Sequence, residues 1–425
     1  MEKKRVRYID NLKWLLYFIL IIYETTFIFN GCGAVGHITT KGIAFFDRVA
    51  VFIYPWLMPM IFLLSGICIR YNLEKRKFYE FLKDRVKRVL IPAITFSIFL
   101  APIVGLIASK HSGLFNSLSL NPNFFIKYLV YLFIGTDAIK VLFTMFLGSL
   151  LIALLNKIDK KDIIYNFCSR FNLLVILLLF FPVWGASKIM NGNTVYATRT
   201  GTYLAMMLVG YYVFSNQRLS DKFEKCALLI LAAIPVGIYV TWISKGLDFT
   251  LVGFTSNIYV NIFLWLTVIS LYGLASIVLD YKNKKTEYLV NNYYSYYIVH
   301  YVVMLVIAHI IVSNFNLPII LNYILVFVLS LIFIPIVTKL LNLIPYANTL
   351  LFGKKKRRLA YEDRINDMNL NNDNSNDEII DDFIGAKKIR NTDEHKFSLN
   401  IDRFKENETN IYNNKRKPSK GRRVK

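Results

Sequence analysis

The apolar residues of this 425-residue chain are gathered into long runs that are separated by shorter polar segments. Such runs approach the length of about 20 residues that an α-helix needs to cross a bilayer. Neither a two-residue alternation nor an amphipathic stripe dominates, so the pattern indicates helices surrounded by lipid. We predict an all-α, polytopic membrane bundle of about ten transmembrane helices, at residues 12–30, 49–69, 89–108, 141–156, 172–188, 200–214, 226–243, 258–279, 294–313 and 320–342.

The distribution of lysine and arginine predicts how these spans are oriented across the membrane. If the N-terminus is cytoplasmic, the basic residues concentrate in the inside segments, above all between Arg70 and Arg88, and are sparse outside. Short cytoplasmic loops carry such an excess. An even number of spans then places both termini in the cytoplasm. The first apolar run reaches Phe29 without a small-residue cleavage site, so we predict a retained helix rather than a signal peptide.

The composition changes at Gly353, where GKKKRR opens a segment rich in Asn, Asp, Glu and Lys. Such a segment cannot bury enough apolar area to offset the entropy of ordering it. We therefore predict two parts, a transmembrane domain over 1–352 and a polar, disordered cytoplasmic tail over 353–425.

Charge and cysteine content narrow the classes of partner. The net charge is +23, but most basic residues flank apolar runs, which favours the anionic lipid bilayer over nucleic acid as the partner. The four cysteines show no C-x-x-C spacing, and His111, placed in an outside loop, has no companion at metal-ligand spacing. We expect free thiols and no metal site. P-loop and G-x-S-x-G motifs are also absent from the sequence, which argues against an ATP-driven pump or a serine hydrolase.

The first span carries the most informative ionisable residues. An ionised side chain costs about 2.5–3.5 kcal/mol at the bilayer centre on insertion scales, so each one needs a role or a partner. Lys13 and Glu24 are eleven residues apart, nearly three turns, so they share a helix face with about 16 Å between them. Asp10 continues the same stripe. Glu24 is either a functional carboxylate facing the bundle interior or an interfacial residue satisfied by neighbours such as Thr25.

Other candidate residues lie immediately before the third predicted span and on the ninth. Arg85 and Arg88 present guanidinium groups that suit phosphate, although arginines at this position also serve as plain cytoplasmic anchors. His300 can accept or donate a proton near neutral pH, although a lone helical histidine is often a hydrogen-bonded packing residue.

The second span contains residues that disturb a regular helix. Pro55 and Pro59 remove backbone hydrogen bonds, which a membrane helix tolerates where protein or a water-filled cavity covers the break. Gly66, after a serine, allows a neighbouring helix to approach closely. Plain helix packing explains these residues equally well.

Five separated segments together resemble the membrane-bound acyltransferase 3 family, bacterial proteins of ten helices that acylate, and often acetylate, cell-surface sugars. The segments are RYIDNLK, PWLMPMIFLLSG, FLKDRVKRVLIP, MLVGYYVF and SYYIVHYVV. The resemblance covers approximately 6–355. It implies a multi-pass protein of the bacterial plasma membrane that transfers an acyl group, such as acetyl, from cytoplasmic acyl-CoA to a glycan acceptor outside.

The resemblance also implies roles for individual residues. Arg85 and Arg88 match the basic pair of the family, which implies contact with the phosphates of CoA. Lys13 matches a basic position beside the path of the acyl group. His300 matches a late-helix histidine that would support catalysis.

The chain departs from the family at the presumed catalytic base. Where the family has a histidine eleven positions after the basic residue, this chain has Glu24, preceded by Tyr23, and of a Trp–Phe pair only Phe143 remains. A carboxylate withdrawn from water can still accept a proton, so the first hypothesis is an O-acyltransferase with Glu24 as base. The second is a non-catalytic relative that acts as a binding or assembly partner in polysaccharide export. The third is a transporter with Asp47, Arg48 and Glu24 along its path.

Overall fold

The structure, a computed structural model, describes residues 7–353 apart from 33, 35–37, 39–41, 118–121 and 194–196. The tail predicted from residue 353 onward therefore lies, except for its first residue, outside the described residues. The main helices, numbered in chain order, are α1 (Arg7–Ile28), α2 (Ala44–Leu73), α3 (Phe78–Phe99), α4 (Ala101–Ser112), α5 (Phe124–Gly135), α6 (Lys140–Ile158), α7 (Leu173–Met190), α8 (Thr200–Phe214), α9 (Gln217–Ile243), α10 (Ile258–Val278), α11 (Lys284–Asn314) and α12 (Ile319–Leu343).

Shorter elements connect these helices. In the described part of the chain, five of them are helices of one turn or little more, and two strands of two residues each pair antiparallel. The short helices are Leu114–Ser117, Thr136–Ile139, Ile163–Cys168, Val252–Thr255 and Ala347–Leu350, and the strands are β1 (Gly192–Asn193) and β2 (Ala197–Thr198). Apart from that small ribbon the described part of the chain is helical, which confirms the predicted fold class.

Nine of the ten predicted spans each coincide with a helix, and the span predicted over 89–108 falls on two helices, α3 and α4, with a bend of 44° between them. Within the described residues, eight helices are long and apolar enough to cross a membrane, and the bent pair α3–α4 makes a ninth if it is counted as one span. The remaining predicted span is α8, which is apolar but shorter than 18 residues. The protein is therefore a multi-pass membrane protein, as the hydropathy pattern predicts.

Helix α5 was missed, because the sequence analysis assigned its residues to an outside connection. It runs antiparallel to α4, with Gly105 against the backbone of Tyr131 and Gly135 against that of Ala101. Each of the two helices has 12 residues. At about 1.5 Å per residue neither can cross a hydrocarbon core of about 30 Å, so a search for full-length spans overlooks α5.

Helix α2 lies at the centre of the bundle and packs against α1, α6, α8, α9 and α10. Its crossing with α8 brings the two backbones together. A Cβ atom at Gly66 would lie 2.0 Å from the carbonyl oxygen of Met207, and one at Gly210 would lie 2.1 Å from that of Leu63. The close approach predicted at Gly66 is confirmed, and its partner is α8.

Arg70 ties the last turn of α2 to two other segments. Its guanidinium group makes paired bonds of 2.7 and 3.0 Å to the carboxylate of Asp162 and one of 3.1 Å to Glu74. It also donates to the hydroxyl of Tyr211 on α8 (3.3 Å) and lies over the ring of Tyr165. Paired arginine–carboxylate bonds fix orientation as well as distance. This network holds the end of the bundle that the charge pattern places in the cytoplasm.

Candidate functional site

Helix α1 carries two of the predicted site residues and is enclosed by α2, α10, α11 and α12. Lys13 and Asp10 are buried, and the Lys13 Nζ lies 3.3 Å from the Asp10 Oδ1. The inner part of the predicted polar stripe is thus present, and the carboxylate of Asp10 partly neutralises the buried ammonium group. Such pairing allows a lysine to remain inside the bundle.

A small pocket lies between α1, α2 and α11. It is lined by Lys13, Leu16, Tyr17, Leu20, Ile61, Leu64, Tyr293 and Tyr297. One ammonium group and three phenols are the polar groups of these side chains, and the rest of the lining is apolar. An apolar lining with a few placed polar groups is typical of a ligand site, and this one suits an acyl chain better than a sugar.

Glu24 lies one helical turn beyond Leu20 of the cavity lining. Its side chain is half-buried, and its carboxylate is within electrostatic reach of the Tyr23 and Tyr297 hydroxyls. The hydroxyl of Thr25 donates to the carbonyl oxygen of Ile21 (2.7 Å), so Thr25 is engaged with its own helix. Glu24 therefore sits among phenol groups, next to a tyrosine that also lines the cavity.

His300 stands behind the cavity wall rather than in it. Its Nδ1 lies 2.5 Å from the carbonyl oxygen of Tyr297, and its buried ring contacts the rings of Tyr17 and Tyr297 at centroid distances of 6.1 and 5.3 Å. A carbonyl oxygen only accepts, so Nδ1 carries a proton in this bond. His300 is thereby placed to orient two cavity-lining tyrosines, and Nε2 is the nitrogen left for proton exchange.

The two predicted phosphate-binding arginines lie on α3. Arg85 is only 1% exposed, so its guanidinium group does not face solvent in this structure. The Nε of Arg88 lies 3.2 Å from the Asp84 Oδ1. The backbone carbonyl oxygen of Arg88 accepts a hydrogen bond from the hydroxyl of Tyr294. Because the neighbour of Tyr294 on α11 lines the cavity, Arg88 and Lys13 lie toward the same end of α11. A phosphate would reach Arg85 only if the groups that cover its guanidinium group moved aside.

Arg199 is a site residue that the sequence analysis missed. Its side chain is buried, Nη1 donates to the carbonyl oxygen of Tyr54 (3.0 Å) and Nη2 donates to that of Pro55 (3.0 Å). The guanidinium group also lies over the rings of Tyr54 and Tyr203. The sequence shows a basic residue directly before an apolar helix and, separately, the proline pair of α2. It does not show that the two are in contact.

A histidine pair joins α4 to α11. The Nε2 of His111 lies 2.9 Å from the Nδ1 of His309, and the hydroxyl of Ser313 lies 3.1 Å from the same Nδ1. The prediction that His111 lies in an outside loop was wrong, because His111 lies in the last turn of α4, with His309 as a hydrogen-bond partner. No cluster of three or more His, Cys, Asp or Glu that could hold a metal ion occurs among the described residues.

The cysteines are free thiols, as predicted. Burial, together with the nearby carboxylates of Asp47 and Asp248, raises the pKa of the Cys32 thiol to about 11. Burial also raises the pKa of the Cys168 thiol to about 11. A thiol must lose its proton to act as a nucleophile, so neither residue suits a covalent acyl-thiol intermediate at neutral pH.

Comparison with known proteins gives one positive finding. A family model described as an acyltransferase domain matches residues 6–339. No curated protein and no solved structure shows significant similarity to the chain. The matched range contains the cavity, Glu24, His300, the α3 arginines and Arg199.

Proposed function

The chain belongs to the acyltransferase 3 family, and from this premise we propose that it transfers an acyl group, such as acetyl, from cytoplasmic acyl-CoA to a hydroxyl group of a glycan outside the cell. The observation that carries this proposal is the apolar cavity between α1, α2 and α11. It runs from Lys13, at the end that the charge pattern places in the cytoplasm, to Tyr297, which neighbours Glu24.

Basic residues support an anionic acyl donor at the inner end. Lys13 lines the cavity there, and Arg88 is held close by through Tyr294 of α11. A guanidinium group matches phosphate geometry, whereas an ammonium group acts as a point charge. We assign the CoA phosphates to the α3 arginines, with Arg85 uncovered as the donor binds, and the acyl chain to the apolar lining.

Glu24 is the group to which we assign proton transfer. The acceptor hydroxyl gives its proton to the Glu24 carboxylate while its oxygen forms a bond to the thioester carbonyl carbon. The carbon–sulfur bond then breaks, and the CoA thiolate takes up a proton, so that the carboxylate is restored and ester and CoA are released. A positioned base of this kind contributes about 10²–10⁴-fold to rate. His300 supports the step by holding Tyr17 and Tyr297 in place.

A larger side chain in the cavity should block transfer. Leu64 is buried in the lining, so Leu64→Trp places its extra volume where the acyl chain would lie. We expect the rate of acyl transfer in isolated membranes to fall by at least about tenfold, the equivalent of about 1.4 kcal/mol. Leu154→Trp is the matched control, because Leu154 on α6 is 44% exposed on the bundle surface. Equal activity in the two variants would contradict the cavity as the acyl path.

Labelled membranes test the proposed activity itself. Inside-out vesicles with and without the chain are supplied with CoA that carries a labelled acyl group, and the label in the glycan fraction is counted. The proposal expects transfer only where the chain is present. Flux of a substrate across sealed vesicles without CoA would favour a transporter. Unchanged glycan labelling, with loss of export when the chain is removed, would favour an assembly partner.

A further inference from the structure

The cation at the start of α8 is buried against the main chain of α2. Arg199 is 2% exposed, and among the described residues no carboxylate pairs with it. Its two hydrogen bonds go instead to consecutive carbonyl groups, those of Tyr54 and Pro55. Removing a cation from water without an anionic partner is costly, so we expect the buried guanidinium group to have a specific structural role.

One of the two carbonyl groups, that of Pro55, lies where α2 cannot complete its own hydrogen bonds. In a regular α-helix the carbonyl of Pro55 would accept from the N–H of residue 59. Pro59 has no N–H, so that carbonyl has no helical donor inside the bundle. The Nη2 of Arg199 supplies the donor from outside the helix at 3.0 Å.

The same guanidinium group holds a side chain of the candidate site. It lies 5.1 Å from the ring centroid of Tyr54, and that ring stacks against Tyr23 at 6.1 Å. Tyr23 precedes Glu24 and is within electrostatic reach of its carboxylate. A shift of the Tyr54 backbone or ring would therefore reach the surroundings of Glu24 directly.

We propose that Arg199 is a positioning residue that replaces the helix hydrogen bond missing at Pro59 and thereby holds Tyr54 against Tyr23, beside Glu24. A planar guanidinium group can donate to two successive carbonyls from separate nitrogens and face two rings at once, whereas an ammonium group is a compact point charge with a single nitrogen. The effect on acyl transfer rests on the proposed function. The clamp between α8 and α2 is a property of the fold and is testable without activity.

Restoring the missing donor within α2 tests the clamp. Arg199→Met removes both bonds, whereas Arg199→Met with Pro59→Ala returns an N–H that can reach the carbonyl of Pro55. We expect the single variant to melt at a lower temperature in detergent than the native protein, and the double variant to recover much of the difference. The melting temperature of Arg199→Lys should lie between those of the single and the double variant. If the single variant does not fold, recovery of folded protein in the double variant is the supporting result.

Lys188→Met is the matched control. Lys188 is an exposed cation that lies over the face of Trp184, so its loss should leave the melting temperature nearly unchanged. An unaffected Arg199→Met variant, or equal destabilisation of the single and double variants, would overturn the clamp. In acyl transfer we expect Arg199→Met to lower kcat by about tenfold with little change in the KM for acyl-CoA, and the double variant to regain part of it. A native protein without transferase activity would defeat the proposed function and leave the melting result standing.

Discussion

Glu24→Gln is expected to abolish acyl transfer and leave the folded protein intact. The amide has nearly the shape of the carboxylate, but it cannot accept a proton from the acceptor hydroxyl. General bases contribute about 10²–10⁴-fold, so the initial rate of label transfer to glycan should fall by at least that lower value. The rates are measured in membranes and divided by the amount of the chain detected by immunoblot.

Two further substitutions sharpen this result. Glu24→Asp keeps the base on a shorter side chain and should retain intermediate activity. Glu224→Gln makes the same chemical change at an exposed position on α9 and should transfer at the native rate. If Glu24→His raised the rate while Glu24→Gln changed nothing, the native carboxylate would not be acting as a base.

Gly66→Val should destabilise the bundle more than any other single substitution considered for this protein. The added Cβ would fall 2.0 Å from the carbonyl oxygen of Met207, and that obstacle is backbone, which cannot swing aside as a side chain does. Overpacking a core by side chains costs about 1–3 kcal/mol, and a backbone clash should reach or exceed the upper value. We expect little folded protein after detergent extraction, measured as the monodisperse fraction by size-exclusion chromatography.

The control for this prediction is another helical glycine. A Cβ at Gly185 on α7 would meet nothing within 4 Å, so Gly185→Ala should extract and elute like the native protein. Alanine also favours the helical state over glycine. Similar yields for Gly66→Val and Gly185→Ala would contradict the close crossing of α2 and α8.

Much of the architecture follows from local composition. A run of apolar residues long enough for a span is detectable without knowing its neighbours, which is why all ten predicted segments fall on helices, although the one over 89–108 is broken between α3 and α4. Helix α5 was not predicted because its 12 residues are fewer than a membrane span needs. Gly66 was recognisable as a close-packing residue, but its partner Met207 was not, because the order of helices in space is a non-local property.

The candidate site, like the fold, was predictable from the sequence only where local patterns decide it. Helical periodicity along α1 was enough to predict that Lys13 and Glu24 share a face. It could not predict the burial of Arg85 or the contact between Arg199 and α2. Those depend on which helices pack together. The departure at Glu24 was visible in the sequence, and its phenol-rich surroundings became visible only in three dimensions.

Mass analysis of surface glycans tests the central claim most directly. Glycans are compared from cells that carry the native chain, cells that lack it, and cells that carry Glu24→Gln at the same protein level. The account predicts ester-linked acyl groups on a glycan only in cells with the native chain, and their removal by mild alkali. Identical acylation in all three strains, or native acylation in the Glu24→Gln strain, would contradict it.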